Sequence, residues 1–211
     1  MKIGIVGAGM IGATMAKLWA DAGHEVLVAS RHPDQLQPLI DRLGPRASAG
    51  TAAEAASFGD VVMLTVPLKA MPSLAIELAP VLAGKVVIDT GNAYERRDGE
   101  IAAQARSTKG GSAVWAARMF PASRWVKAFN TVYFKVLESE AHREGDRVGI
   151  PLAGDDRDAV EHVAALVRDA GFDPVITGPL AQGQMFEPDT PAYNTGMTGS
   201  QVRQALGVKP V

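Results

Sequence analysis

The chain has 211 residues, close to the size of one domain and long enough to bury a full core. Its 21 basic side chains balance 23 acidic ones to a net charge of −2, which leaves no global field to recruit nucleic acid or an anionic membrane surface. It has no cysteine, which excludes disulfides, thiolate nucleophiles and Cys-ligated clusters.

No apolar run approaches the roughly 20 residues that span a bilayer. The start Met1-Lys2-Ile3-Gly4-Ile5-Val6 is too short and too soon broken by glycine for a secretion signal, so a cytoplasmic protein is expected. His24, His32, His142 and His162 are scattered without metal-ligand spacing, and no metal is expected.

In chain order, Lys2 to Val6 reads as a β-strand. Ala13 to Ala22 follows with apolar residues at helical spacing, Met15, Leu18, Trp19 and Ala22. Glu25 to Ala29 is a second strand and Pro33 to Leu43 a helix with proline in its first turn. A weak strand at Ala47 to Ala49 and a helix from Thr51 to Phe58 come next. Val61 to Val66 is a continuous apolar strand closed by Pro67, as suits burial on both faces. Leu68 to Leu82 is helical with an early Pro72, and Lys85 to Asp89 is another buried strand. Glu100 to Met119 is Ala-rich and broken at Gly110-Gly111. Trp125 to Phe129 reads as strand, Thr131 to His142 as helix, Val148 to Ala153 as strand, Asp155 to Ala170 as helix and Pro174 to Thr177 as a last strand. This alternation predicts an α/β Rossmann-type, doubly wound, mostly parallel sheet of about eight strands over residues 1–178. Residues 179–211, with prolines at 179, 188, 191 and 210, read as an extension packing on the same domain, with a final helix near Gly199 to Leu206.

The chemistry is concentrated in Gly7-Ala8-Gly9-Met10-Ile11-Gly12, a G-x-G-x-x-G directly after the first strand and opening a helix. Gly7 permits a tight turn, Gly9 lets backbone approach a pyrophosphate, and Gly12 lets helix and strand pack closely. The helix N-terminus then faces the phosphates. About 20 residues on, where an NAD site places a carboxylate for the ribose 2′-OH, this chain has Ser30-Arg31. A hydroxyl and a guanidinium fork suit a 2′-phosphate, so NADP(H) is favoured over NAD(H). The competing assignment makes Ser30 or His32 a helix cap and Arg31 a solvated side chain.

Further loops follow the carboxyl ends of strands, where such sheets bind ligands. Thr65-Val66-Pro67 is expected to border the riboses, and Asn92 to approach the nicotinamide with one donor and one acceptor. Phe129, Asn130 and Thr131 are positioned to meet a substrate ring, although an aromatic beside a strand is more often core.

Together with Lys127-Ala128-Phe129-Asn130-Thr131, Pro151 to Asp156 and Gly178-Pro179-Leu180, these loops resemble the NADP oxidoreductases that work with the deazaflavin coenzyme F420. They are also similar to the NADPH domain of transmembrane ferric reductases. The resemblance implies hydride exchange between NADP(H) and a small-molecule redox acceptor with a flavin-type ring: F420, FMN or FAD. It gives Ser30 and Arg31 the 2′-phosphate and places Thr65, Val66 and Pro67 along the nicotinamide half, while Asn130, a candidate contact to the acceptor, departs from the polar residue of the deazaflavin enzymes. The polar tail from Gln184 to Tyr193 departs from the family's apolar final helix and is expected to shape the acceptor pocket. Two alternatives stay open: a non-catalytic NADP(H)-sensing module, and a small dehydrogenase of the β-hydroxyacid type. The aromatic content of Trp115, Phe120, Trp125, Tyr133 and Phe134 exceeds the need of one small core and leaves room for a homodimer.

Overall fold

The structure is a computed structural model and describes residues 1–209. Pro210, counted above with the tail, lies outside the described residues. The first half alternates strictly: β1 (Lys2–Val6), α1 (Met10–Asp21), β2 (Glu25–Ala29), α2 (Gln37–Leu43), β3 (Ala47–Gly50), α3 (Ala52–Phe58), β4 (Val61–Leu64), α4 (Met71–Leu78) and β5 (Val86–Asp89). The second half opens with three short helices, α5 (Glu95–Asp98), α6 (Glu100–Ser107) and α7 (Gly111–Ala117). It continues with β6 (Arg124–Lys127), α8 (Phe134–Glu140), β7 (Gly149–Gly154), α9 (Arg157–Asp169), β8 (Asp173–Gly178) and α10 (Gly199–Leu206).

Among the described residues one eight-stranded sheet has the order β3-β2-β1-β4-β5-β6-β7-β8. The pairs from β3 across to β6 are parallel, β7 runs antiparallel to β6, and β8 is parallel to β7. Strand order reverses between β1 and β4, and open α/β sheets bind ligands at such a point, outside the carboxyl ends of the strands.

The two-residue strand period distributes the apolar side chains over both faces. Ile3, Ile5, Met63 and Ile88 join Met15, Trp19, Val163 and Val167 in one buried layer. Val6, Val62, Leu64 and Val87 join Ala55, Met71, Phe120 and Trp125 in the other. Phe120 and Trp125 stack with centroids 5.1 Å apart and are buried within this single chain. They are therefore spoken for, and the aromatic surplus invoked for a homodimer shrinks to part-buried Trp115 and to Tyr133 and Phe134 at the cleft described below.

Several boundaries move from their sequence positions. Helix α1 starts at Met10 rather than Ala13, because the glycine loop itself supplies the first turn. Strand β6 stops at Lys127, and Phe129 takes a left-handed φ of +59°, a conformation no strand accommodates. Residues 131–133 are not helical and α8 spans only Phe134–Glu140. The Ala-rich stretch divides between Ser107, where α6 stops, and Gly110, whose φ of +93° marks the N-cap of α7. After Gly178, 3-10 turns from Leu180 to Phe186 run over the sheet end, and α10 packs on β7 and β8. No helix among the described residues is long and apolar enough to cross a membrane.

Trp19 ties the core to the functional end. Its indole N–H donates to the Leu166 carbonyl at 3.0 Å, and its ring meets Phe129 edge to face at 5.7 Å. Trp19→Ala should cost about 3–5 kcal/mol, the usual range for emptying an aromatic core site, measured by urea denaturation. A loss below about 1 kcal/mol would mean that the site collapses around the gap.

Candidate functional site

The glycine loop is built by backbone crowding. Gly7 has a φ of +117°, and a β-carbon there would stand 2.4 Å from the Thr65 carbonyl oxygen. A β-carbon on Gly12 would stand 2.0 Å from the Gly7 carbonyl oxygen. Gly9 is the opposite case, since nothing lies within 4 Å of where its β-carbon would be. A side chain there would fill open space over the N-terminus of α1. That helix has neither a side-chain cap nor an acidic residue in its first turn, so its leading N–H groups and positive dipole end remain available to an anion. Ala8 is half-buried behind the loop against the core, and Met10 is 64% exposed beside it.

At the end of β2, the Ser30 hydroxyl oxygen accepts from the His32 N–H at 3.1 Å and keeps its own proton free. Neither residue caps a helix through its side chain, as the 3-10 turn at Pro33–Leu36 starts without one. Arg31 is exposed and makes no hydrogen bond or ion pair among the described residues. The end of β2 is thus a free hydroxyl and a free guanidinium with no carboxylate between them, which suits a ribose 2′-phosphate.

A cleft of about 310 Å³ opens between this loop and the later strand ends. Gly9, Met10, Ile11 and Thr65-Val66-Pro67 form one side, and Thr90-Gly91-Asn92, Tyr94 and Arg97 form its floor and back. Residues 129–134 with Tyr193 and Asn194 complete it. Ser30 and Arg31 stand outside this cleft, as do Gly7, Ala8 and Gly12. Phe129 borders it, yet the ring is 1% exposed and packs on Trp19, so it belongs to the core.

Asn92 and Asn130 clasp each other. The Asn130 amide nitrogen donates to Asn92 Oδ1 and to the Phe186 carbonyl, both at 3.0 Å. Asn92 Nδ2 donates to the Asn130 carbonyl at 2.8 Å. Two backbone carbonyls therefore fix both amides, and the buried Asn130 Oδ1 and Thr131 Oγ1 are left without partners among the described residues.

Beneath the floor lies a buried charge cluster that sequence inspection missed. Lys127, fully buried, donates to the Gly91 carbonyl at 2.7 Å and to the Ser112 hydroxyl at 3.1 Å. Its ammonium lies 3.6 Å from Asp89 and 3.5 Å from Glu187. Glu187 also accepts from the Ser112 backbone N–H at 2.8 Å, so the tail is bound to α7 and β6 together. The signal was present in Asp89 and Lys127, charged residues closing apolar strands. Tyr94 and Arg97 were also missed, because a single four-residue helical turn and its cap are too short to show periodicity. Tyr193 was included only within the tail.

A chain with this sheet order and this glycine turn falls in the class of Rossmann-fold dinucleotide-binding proteins. Residues 2–93 match the family described as NADP oxidoreductase, coenzyme F420-dependent, which is somewhat less than half of the chain. It is 31% identical over 186 residues to Metalloreductase STEAP3 of Rattus norvegicus. That alignment covers 88% of this chain and 36% of the other, so the chain spans about a third of that relative's length. It is 28% identical over 218 residues to the F420-dependent NADP reductase of Methanothermobacter thermautotrophicus, with 97% of this chain and 93% of that one covered. A solved structure of a hypothetical protein from Sinorhizobium meliloti superposes with a TM-score of 0.81 at 28% identity, covering 94% and 95% of the two chains.

Removing Lys127 should reveal the cost of the cluster. Asp89 is held above its ordinary carboxylate range by burial, against the attraction of Lys127. Lys127→Met strands two carboxylates, and breaking a buried pair costs on the order of 3–5 kcal/mol. A carboxyl whose pKa is raised by folding binds its proton more tightly when folded, so it favours the native state below that raised value and loses the advantage as pH climbs. The variant's deficit should be greatest near neutrality and narrow toward about pH 5. Urea midpoints for both proteins at the two pH values check this, and a gap independent of pH would exonerate the carboxylates.

Proposed function

We propose that this oxidoreductase moves hydride between NADP(H), laid over the glycine loop with its 2′-phosphate at Ser30 and Arg31, and a flavin-type ring in the cleft. The ring is a deazaflavin of the coenzyme F420 kind or an ordinary flavin such as FMN or FAD. One observation carries the reading: the lining of the cleft holds amides, hydroxyls, backbone, apolar surface and an Arg97 guanidinium engaged by Asp98, with no carboxylate, histidine or lysine among the described residues and with its phenols Tyr94 and Tyr193 hydrogen-bonded to each other. Reduction of a carbonyl needs a proton delivered with the hydride, whereas exchange between two ring carriers requires closeness and alignment above all. The family and the archaeal relative, whose name includes F420, support the same assignment.

When bound, NADPH supplies a hydride with its electron pair from C4 of the dihydronicotinamide. The chain's part is to bind and orient. The N-terminus of α1 balances the pyrophosphate charge. Thr65, Val66 and Pro67 form a wall set by β4, and the mutually fixed amides of Asn92 and Asn130 give the opposite wall one shape.

An acceptor screen with F420, FMN, FAD and riboflavin, following NADPH oxidation by stopped flow, tests the reading. At least one ring should react far above the uncatalysed rate, and reaction with none of them would sink it.

Nucleotide choice is tested separately. Hydrogen bonds to charged groups contribute roughly 1.5–3 kcal/mol each, and about 1.4 kcal/mol is tenfold in affinity. Arg31→Ala should weaken NADPH about ten- to a hundredfold and leave NADH nearly unchanged. Ser30→Asp should go further by repelling the 2′-phosphate while accepting from the ribose hydroxyl of NADH. Equal losses for both nucleotides in Arg31→Ala would assign that side chain to the adenine or the fold.

A further inference from the structure

The back of the cleft holds two phenols from distant parts of the chain. Tyr94 follows β5, Tyr193 comes from the tail, and their hydroxyls are hydrogen-bonded to each other. Two hydroxyls that share one such bond have two protons and use only one of them. The other is available to a ligand.

The surroundings decide which one. Asn92 Nδ2 donates to the Tyr94 hydroxyl at 3.4 Å. A hydroxyl that accepts a bond becomes a better donor, so Tyr94 passes its proton toward Tyr193. The Tyr193 proton is then the free one. Both side chains are held in place. The Arg97 guanidinium lies 4.8 Å from the centroid of the Tyr94 ring and is itself engaged by Asp98 and by the Asn92 carbonyl. Asn194, next to Tyr193, donates its backbone N–H to the Thr131 carbonyl at 2.7 Å. Burial pushes the Tyr193 phenol above its ordinary range, so it remains a donor at neutral pH.

We propose that Tyr193, backed by Tyr94, donates a hydrogen bond to a carbonyl oxygen of the acceptor ring. This rests on the flavin-type reading above. Hydride transfer breaks the C4–H bond of the dihydronicotinamide with its electron pair and forms one new bond to hydrogen on the acceptor. The nicotinamide is oxidised and the acceptor reduced, and the negative charge delivered with the hydride spreads onto the carbonyl oxygens of the acceptor. No proton leaves the tyrosine. A neutral donor fixed beside such an oxygen binds the reduced, anionic ring more strongly than the oxidised one. Arg97 is the one formally charged side chain in the described lining, and its engagement with Asp98 leaves this task to the phenols.

The test is binding, measured anaerobically in the absence of nicotinamide nucleotide, of oxidised and reduced FMN and F420 to wild type, Tyr193→Phe and Tyr94→Phe. Wild type should hold the reduced ring more tightly. Tyr193→Phe should weaken the reduced ring about tenfold and the oxidised ring less than about threefold. Tyr94→Phe, which keeps the free proton on Tyr193, should lose less. Equal losses for both redox forms, or none, would overturn the donor role and leave the tyrosines as wall. Failure of the wild type to bind either ring would overturn the flavin-type reading itself, and this inference with it.

Discussion

Backbone lies against backbone where β1 turns into α1. Gly12 rests on the Gly7 carbonyl and Gly7 rests on the Thr65 carbonyl, at separations that leave no room for a β-carbon at either position. The crowding brings the N-terminus of α1 directly above the gap between β1 and β4, where the strand order reverses. Everything the cleft can do depends on that placement, because the helix dipole and the free N–H groups act only over the first turn. Gly9, with open space where its neighbours have none, shows that the same loop is tight toward the protein and vacant toward a ligand.

The far wall is held by different means. Within residues 186–194, Phe186 and Ala192 pack with Ala153 and Val175 of the sheet, and polar contacts add to that: Glu187 to Ser112 and Lys127, the Phe186 carbonyl to Asn130, and the Asn194 N–H to the Thr131 carbonyl. Such contacts are directional, so they fix the wall's shape more narrowly than hydrophobic contact would. They also place a segment far along the sequence against the floor formed by β5 and β6.

The fold was legible because its strands are pure period-two or continuous apolar runs and its turns fall on glycine and proline. Glu25–Ala29 and Gly199–Leu206 stand where the sequence put them. The direction of β7 was not legible, since an apolar run such as Val148 to Ala153 reads the same whichever way the strand points. Gly9 to Ile11, Thr65-Val66-Pro67, Asn92 and residues 129–131 share one cleft, with Ser30 and Arg31 outside it, because parallel strands deliver their carboxyl ends to one edge. Two kinds of information escaped. Phe129 was placed at a substrate ring from its position after a strand, but its positive φ turns the ring inward to Trp19. The partnership of Tyr94 with Tyr193 spans 99 positions of sequence, and no local pattern encodes a contact of that kind.

The Lys127 cluster also has a consequence for how the chain comes into being. A protein made from its N-terminus outward presents Asp89 first, then Ser112 and Lys127, and Glu187 only some 60 positions after the lysine. Until that last carboxylate emerges from the ribosome, the ammonium has one acidic partner instead of two, at a place where water must be excluded for the floor to close. The first six strands and α9 can assemble earlier, since most of their apolar layers precedes the tail. The cleft cannot. Its floor is sealed by an acidic side chain some 60 positions after the lysine it pairs with, so a growing chain can have much of its sheet before it has a closed cleft.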